Sequence, residues 1–214
     1  MNQLTPKQIR GIVDDYVRFL PGWHHVSDET VVRTDGPILH AIGFQSLSSG
    51  EYRPMNYIQV LAAPETGRTG RVDFFAQFPK GSPRTASLRS HQELRDEMIH
   101  TMKQEFIPAI MEPLNATTVL GLCENDAAPK SGDAYALAAL NAYLDYSERA
   151  LYWCSRYDDL VNELGQPWQP WHYQQHAFLH SLEDWITIGD AKQQLERVLQ
   201  EERRKWGVAV QRIP

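Results

Sequence analysis

The chain is poor in cysteine: Cys123 and Cys154 are the only two in 214 residues, and they form no CxxC pair. This excludes a disulfide framework and a cysteine zinc cluster, leaving free thiols or at most one bridge between the two. Positive charge is also in short supply, with 21 Lys and Arg against 27 Asp and Glu and a net charge of -6. That is the wrong sign for gripping phosphate backbones, so nucleic acid is not an expected partner. No run of about 18 apolar residues occurs, and the opening MNQLTPKQIRGIVDDYVRFL lacks the basic and apolar regions of an export signal. A soluble, cytoplasmic protein with no membrane partner is the expectation. Nucleophile signatures are missing as well: there is no GxSxG, no SxxK and no cysteine in an activating context. Gly67 and Gly70 in ETGRTGR lie between two strand-like runs, with no helix behind them to cradle a phosphate.

The length suffices for one full domain, or two small ones, with a real core. Thr5-Pro6-Lys7-Gln8 is a capping box with Pro at the first helical position, and Ile9, Ile12, Val13, Tyr16, Val17 and Leu20 then keep helical spacing. Pro21-Gly22 ends that helix. VVRT and ILHAIGF flank Asp35-Gly36 and predict a hairpin. MNYIQVLAA and RVDFFAQF alternate with period two and predict two more strands. From Ser90, a second capping box and the spacing of Leu94, Met98, Met102, Phe106 and Ile110 predict a helix over 91–112, with a kink or a fresh turn at Pro108.

The polar tract CENDAAPKSGD marks a boundary between a sheet domain over 1–122 and a helical region over 131–214 packed on it. AYALAALNAYL reads as a buried helix, and Ala134, Ala138, Ala142 and Ala150 would let a neighbour approach. SERALYWCSRYDDLVNELG follows, then the Pro/Trp joint GQPWQPW, a histidine-bearing helix, and a charged last helix after Gly189-Asp190. These pair as helical hairpins in the manner of tetratricopeptide stacking, without the full repeat signature. The expected fold class is α+β: an N-terminal antiparallel sheet of about four strands flanked by helices, then C-terminal helical hairpins.

The stretch GWHHVSDETVVRTDGPILHAIGFQSLSSGEYRPMNYIQVL resembles a group of small bacterial proteins of unknown function, some of them of suspected immunity or antitoxin type. The likeness covers about residues 8–80 and carries over no catalytic residues. It implies a role in binding another protein.

His172, His176 and His180 recur at steps of four, with Asp184 one step further. Successive members drift by about 40° around a helix, so neighbours can share an ion but all four cannot. Closing a zinc or other divalent site would need Asp158, Asp159 or Glu163 from the preceding helix. The other reading is a boundary row between water and the apolar face of Phe178, Leu179, Leu182, Trp185 and Ile186. His24 and His25, adjacent in an extended segment, point to opposite faces and suit a surface loop. His40 alternates with Ile38, Ile42 and Phe44, which suits a hydrogen-bonded core histidine better than a catalytic one. Aromatic residues crowd the last third of the chain, and Trp168 and Trp171, beside prolines in the joint and expected to be exposed, make up with Tyr173 the candidate binding surface; the other reading of the two tryptophans is packing that fastens the joint to the helices. The sequence therefore points to a non-catalytic cytosolic protein that binds another protein and needs no cofactor. A metal-dependent hydrolase centred on His172, His176 and His180 is the alternative.

Overall fold

The computed structural model describes residues 3–66, 71–72, 84–105, 110–111, 114–124 and 129–208. The first helix, α1, is Pro6–Val17. Its capping box closes reciprocally: the Gln8 amide donates to Thr5 Oγ1 at 3.4 Å, and the Thr5 amide donates to Gln8 Oε1 at 2.8 Å. Two of the helix's otherwise orphaned donors are thereby satisfied. Ile9, Ile12, Val13 and Tyr16 form its buried stripe, as their spacing predicts.

Six strands follow: β1 (His24–His25), β2 (Thr30–Asp35), β3 (Ile38–Ser46), β4 (Glu51–Val60), β5 (Arg71–Val72) and β6 (Ala86–Ser87). They make one antiparallel sheet in the order β1-β2-β3-β4-β5, with β6 also pairing β4. Gly36 takes the β2–β3 turn at φ +53°, a left-handed conformation that a side chain would resist. Every residue of β3 from Ile38 to Phe44 is buried, so the alternation expected there gives way to a strand covered on both faces. Of the RVDFFAQF run, Arg71–Val72 is strand and residues 73–78 lie outside the described residues.

Two helices come next, α2 (His91–Glu105) and α3 (Ala116–Glu124). Met98 and Met102 are buried, as the four-residue spacing requires. The expected continuation of this helix to 112 meets only the turn residues Ile110 and Met111, and Pro108 lies outside the described residues. The helix α3 has no counterpart in the sequence reading and reaches into the tract taken there as a boundary. Four more helices follow: α4 (Ser131–Tyr143), α5 (Ser147–Glu163), α6 (Pro170–Ile188) and α7 (Ala191–Lys205). The architecture is α+β.

Contacts divide the chain into two compact units interleaved in sequence. The first comprises Met1–Thr34, His40–Ile58 and Asp73–Pro113, and the second Asp35–Leu39, Gln59–Val72 and Leu114–Pro214. In the first, Ile9, Val13 and Tyr16 of α1 pack with Ile42 and Phe44 of β3, Tyr52 of β4 and Met98 of α2. In the second, α4 is the central element, buried at every position from Ala134 to Ala142. Its alanines bring α5 alongside in the most extensive helix pairing of the unit, and α3, α6 and α7 also touch α4.

Candidate functional site

The His172, His176 and His180 row and the exposed Tyr152 and Tyr173 fall on the α5–α6 hairpin. Gly165 ends α5 at φ +79°, and Pro170 opens α6 at a position whose amide would be unpaired in any case. Tyr157 on α5 fixes the register of α6. Its hydroxyl lies 3.1 Å from the His172 carbonyl oxygen and 3.0 Å from Gln175 Oε1, and its one proton is shared between these two acceptors. Burial pushes this hydroxyl well above the ordinary tyrosine value, so it remains a donor.

The histidine row splits. His172 is buried, and its Nδ1 has no hydrogen-bond partner among the described residues; burial holds the imidazole below its ordinary value. Its ring packs edge-to-face on Trp171 at 5.5 Å. His176 and His180 instead face each other at the surface, Nε2 to Nε2 at 3.2 Å. His180 Nδ1 lies 3.2 Å from Glu183 Oε2, and His176 Nε2 lies 3.5 Å from Asp158 Oδ1. A carboxylate only accepts, so His180 Nδ1 carries a proton for Glu183. In the neutral pair, His180 Nε2 then accepts from the Nε2–H of His176. Of the three acids considered from the preceding helix, Asp158 reaches the row. Asp159 and Glu163 pair with Arg156 instead, at 3.8 Å and 3.7 Å.

Cys154, Asp158, His176, Leu179, His180 and Glu183 line a shallow depression here, and neither His172 nor the exposed Asp184 contributes to it. Two imidazoles on one zinc, with nitrogens about 2.0–2.1 Å from the ion, hold their ring centres about 5 Å apart. The rings of His176 and His180 pack edge-to-face with centroids 4.2 Å apart, so their lone pairs do not meet at a common point. Among the described residues, no group of three or more His, Cys, Asp and Glu side chains is placed to hold a metal ion. The Cys154 thiol is pushed up to about 12 by burial, reinforced by the Glu183 and Asp158 carboxylates, which keeps it protonated and non-nucleophilic.

The three candidate binding aromatics differ in exposure. Trp168 and Trp171 are half-buried, and Tyr173 is 51% exposed. The first turns of α6 fold back over the joint, placing Tyr173 and His176 each 5.4 Å from the Trp168 ring. Outward-facing Leu151, Leu164 and Ile188 escaped the sequence reading. Helical spacing on α5 could have flagged Leu151, one position before the exposed Tyr152, as lying away from the buried Ala150, Cys154 and Tyr157 stripe.

His24, His25 and His40 lie away from this hairpin. His25 Nε2 lies 2.9 Å from Asp14 Oδ1, and His24 is exposed beside it on β1. His40, 1% exposed, sits at 2.5 Å from Asn56 Oδ1 and edge-on to Trp23 at 4.8 Å.

Comparison of the chain with protein-family models, with curated proteins and with solved structures gives no match in any of the three.

Proposed function

We propose that this protein binds another protein through the outward surface of its α5–α6 hairpin and performs no catalysis of its own. The observation that carries this reading is the exposure of Tyr146, Leu151, Tyr152, Leu164, Tyr173 and Ile188, each between 38% and 72% accessible within one stretch of helices. Large apolar side chains left in water cost about 25 cal/mol per Å² that a partner would recover, and Tyr is a frequent interface anchor. The negative net charge favours a partner with a basic surface. A bacterial cytosolic role of immunity or antitoxin type is the specific form of the proposal, and the resemblance over residues 8–80 supports it.

The competing reading, a metal-dependent hydrolase on the His172 helix, has the close His176–His180 pair in its favour and the ring packing against it. Affinity capture separates the two. The wild-type protein is expected to retain one partner in stoichiometric amount, and a Tyr152→Ser/Tyr173→Ser variant with an unchanged unfolding midpoint is expected to lose it at least tenfold. Equal retention by both proteins, or turnover on a hydrolase panel that a chelator abolishes, would reverse the preference.

A further inference from the structure

The first unit holds a second polar constellation that the proposed binding surface does not use. Asp15 Oδ2 lies 3.3 Å from His91 Nε2, and His91 Nδ1 lies 2.8 Å from the Tyr52 hydroxyl. The Tyr52 hydroxyl lies 3.0 Å from the Tyr16 hydroxyl, which is 3.5 Å from Met98 Sδ. Tyr16, Tyr52 and Met98 are fully buried and His91 nearly so, leaving Asp15 as the end of the chain nearest water.

The fixed end sets the direction of every bond. The Asp15 carboxylate can only accept, so His91 Nε2 carries a proton. In the neutral ring Nδ1 is then an acceptor, Tyr52 must donate to it, and Tyr16 must donate to Tyr52. Adding a proton to Nδ1 reverses each step. The imidazolium donates to the Tyr52 oxygen, Tyr52 turns its proton to the Tyr16 oxygen, and Tyr16 turns its own to the Met98 thioether, a weak acceptor already in place. Only hydroxyl hydrogens rotate, no heavy atom needs to move, and no buried polar atom is orphaned in either state.

We propose that His91 is a proton-sensing group whose protonation reverses this hydrogen-bond chain and is registered at the Met98 thioether in the core of the first unit. The proton comes from solvent and stays on the imidazole. Each hydroxyl keeps its one proton throughout, because burial pushes Tyr16 well above, and Tyr52 up to about 12 from, the ordinary tyrosine value. The groups facing the chain are the carboxylate of Asp15, itself bonded to Arg18 at 2.9 Å, on the α1 side, and Tyr52 on β4. On the α2 side stands Arg95, bonded to Asp96 at 2.9 Å. At the start of α2 the Ser87 and Ser90 hydroxyls lie 3.1 Å apart, Glu93 stands in the first turn, and the Glu51 carboxylate, whose residue pairs Ser87 across β4 and β6, accepts from Thr85 at 3.2 Å.

The test is a pH titration by nuclear magnetic resonance of the full chain carrying ¹³C-methyl methionine. The Met98 methyl resonance is expected to move with the same midpoint as the His91 ring protons, while the equally buried Met102 stays still. In Tyr52→Phe and in Tyr16→Phe, the His91 ring is expected to titrate and the Met98 shift to vanish; if one variant does not fold, the other carries the comparison. A flat Met98 resonance in the wild type, a Met98 shift that survives in the folded variant, or a His91 ring that does not titrate before acid unfolding would each overturn the proposal.

Discussion

His40 donates its Nε2–H to Asn56 Oδ1 over 2.5 Å in a part of the first unit closed to water. The cost of charging a ring in that place falls on the pH dependence of folding. Burial lowers its pKa from 6.5 to about 4, the Asn56 hydrogen bond opposes the shift, and Arg33 adds to it. The unfolded chain therefore binds this proton at a higher pH than the native one. Between pH 6.5 and 4 the unfolded state holds more protons, so stability rises with pH across that window and is lost as pH falls through it. At about 1.4 kcal/mol per pH unit, His40 contributes about 2–3 kcal/mol of the loss between pH 6.5 and 4.5. Urea unfolding at several pH values is expected to give a correspondingly shallower acid slope for His40→Gln than for the wild type. Parallel curves would show that the ring is not held neutral by burial.

Tyr157 is expected to be the costliest hydroxyl to remove from the α5–α6 hairpin. Tyr157→Phe strips a donor from the His172 carbonyl and from Gln175 in a buried setting. Such a loss costs about 1–2 kcal/mol. Tyr152→Phe, whose side chain is 61% exposed, is expected to change stability by less than about 0.5 kcal/mol. Denaturant midpoints measured side by side check both.

Ala138 is fully buried where α4 runs against its neighbours. Ala138→Leu inserts three carbon atoms into a packed seam and is expected to destabilise by about 1–3 kcal/mol. Leu151→Ser, on the outer surface of α5, is expected to be close to neutral. A reversal of that order in thermal unfolding would contradict the packing described for α4.

The His176–His180 pair is expected to be dispensable for folding and indifferent to chelators. Exposed pairs of this kind contribute about 0–1 kcal/mol. The wild type and His176→Ala are expected to unfold at the same midpoint with and without a chelator, and elemental analysis of untagged protein is expected to show no stoichiometric zinc, manganese or iron. Stoichiometric metal that disappears in His176→Ala would favour the hydrolase reading.

What could be read from the sequence was what is encoded locally. The first helix was legible because Thr5 and Gln8 complete its cap within four residues, and α4 because its run of small apolar residues admits no wet face. The α3 helix was not, although Ala116, Val119, Leu120 and Cys123 keep helical spacing, because the segment is short, holds Gly121 and runs into a polar tract that suggests a boundary. That an acid from α5 would approach the histidine row followed from antiparallel pairing, but the choice of Asp158 over Asp159 and Glu163 depends on the rotation of α5, which Tyr157 sets. The prolines beside Trp168 and Trp171 suggest exposure and their aromatic bulk suggests packing; which holds depends on the return of α6 over the joint, which covers the Trp168 ring and leaves Tyr173 exposed. The Asp15–His91–Tyr52–Tyr16 chain joins residues up to 76 positions apart and leaves no mark on any one segment.

Site-directed photo-crosslinking in living cells tests the binding surface most directly. A crosslinking amino acid placed at Tyr152 or Tyr173 is expected to capture one and the same protein, while the same group at Leu88, also outward-facing but in the first unit, captures none. Equal capture from all three positions, or none from the two on the hairpin, would contradict a partner docked on α5 and α6.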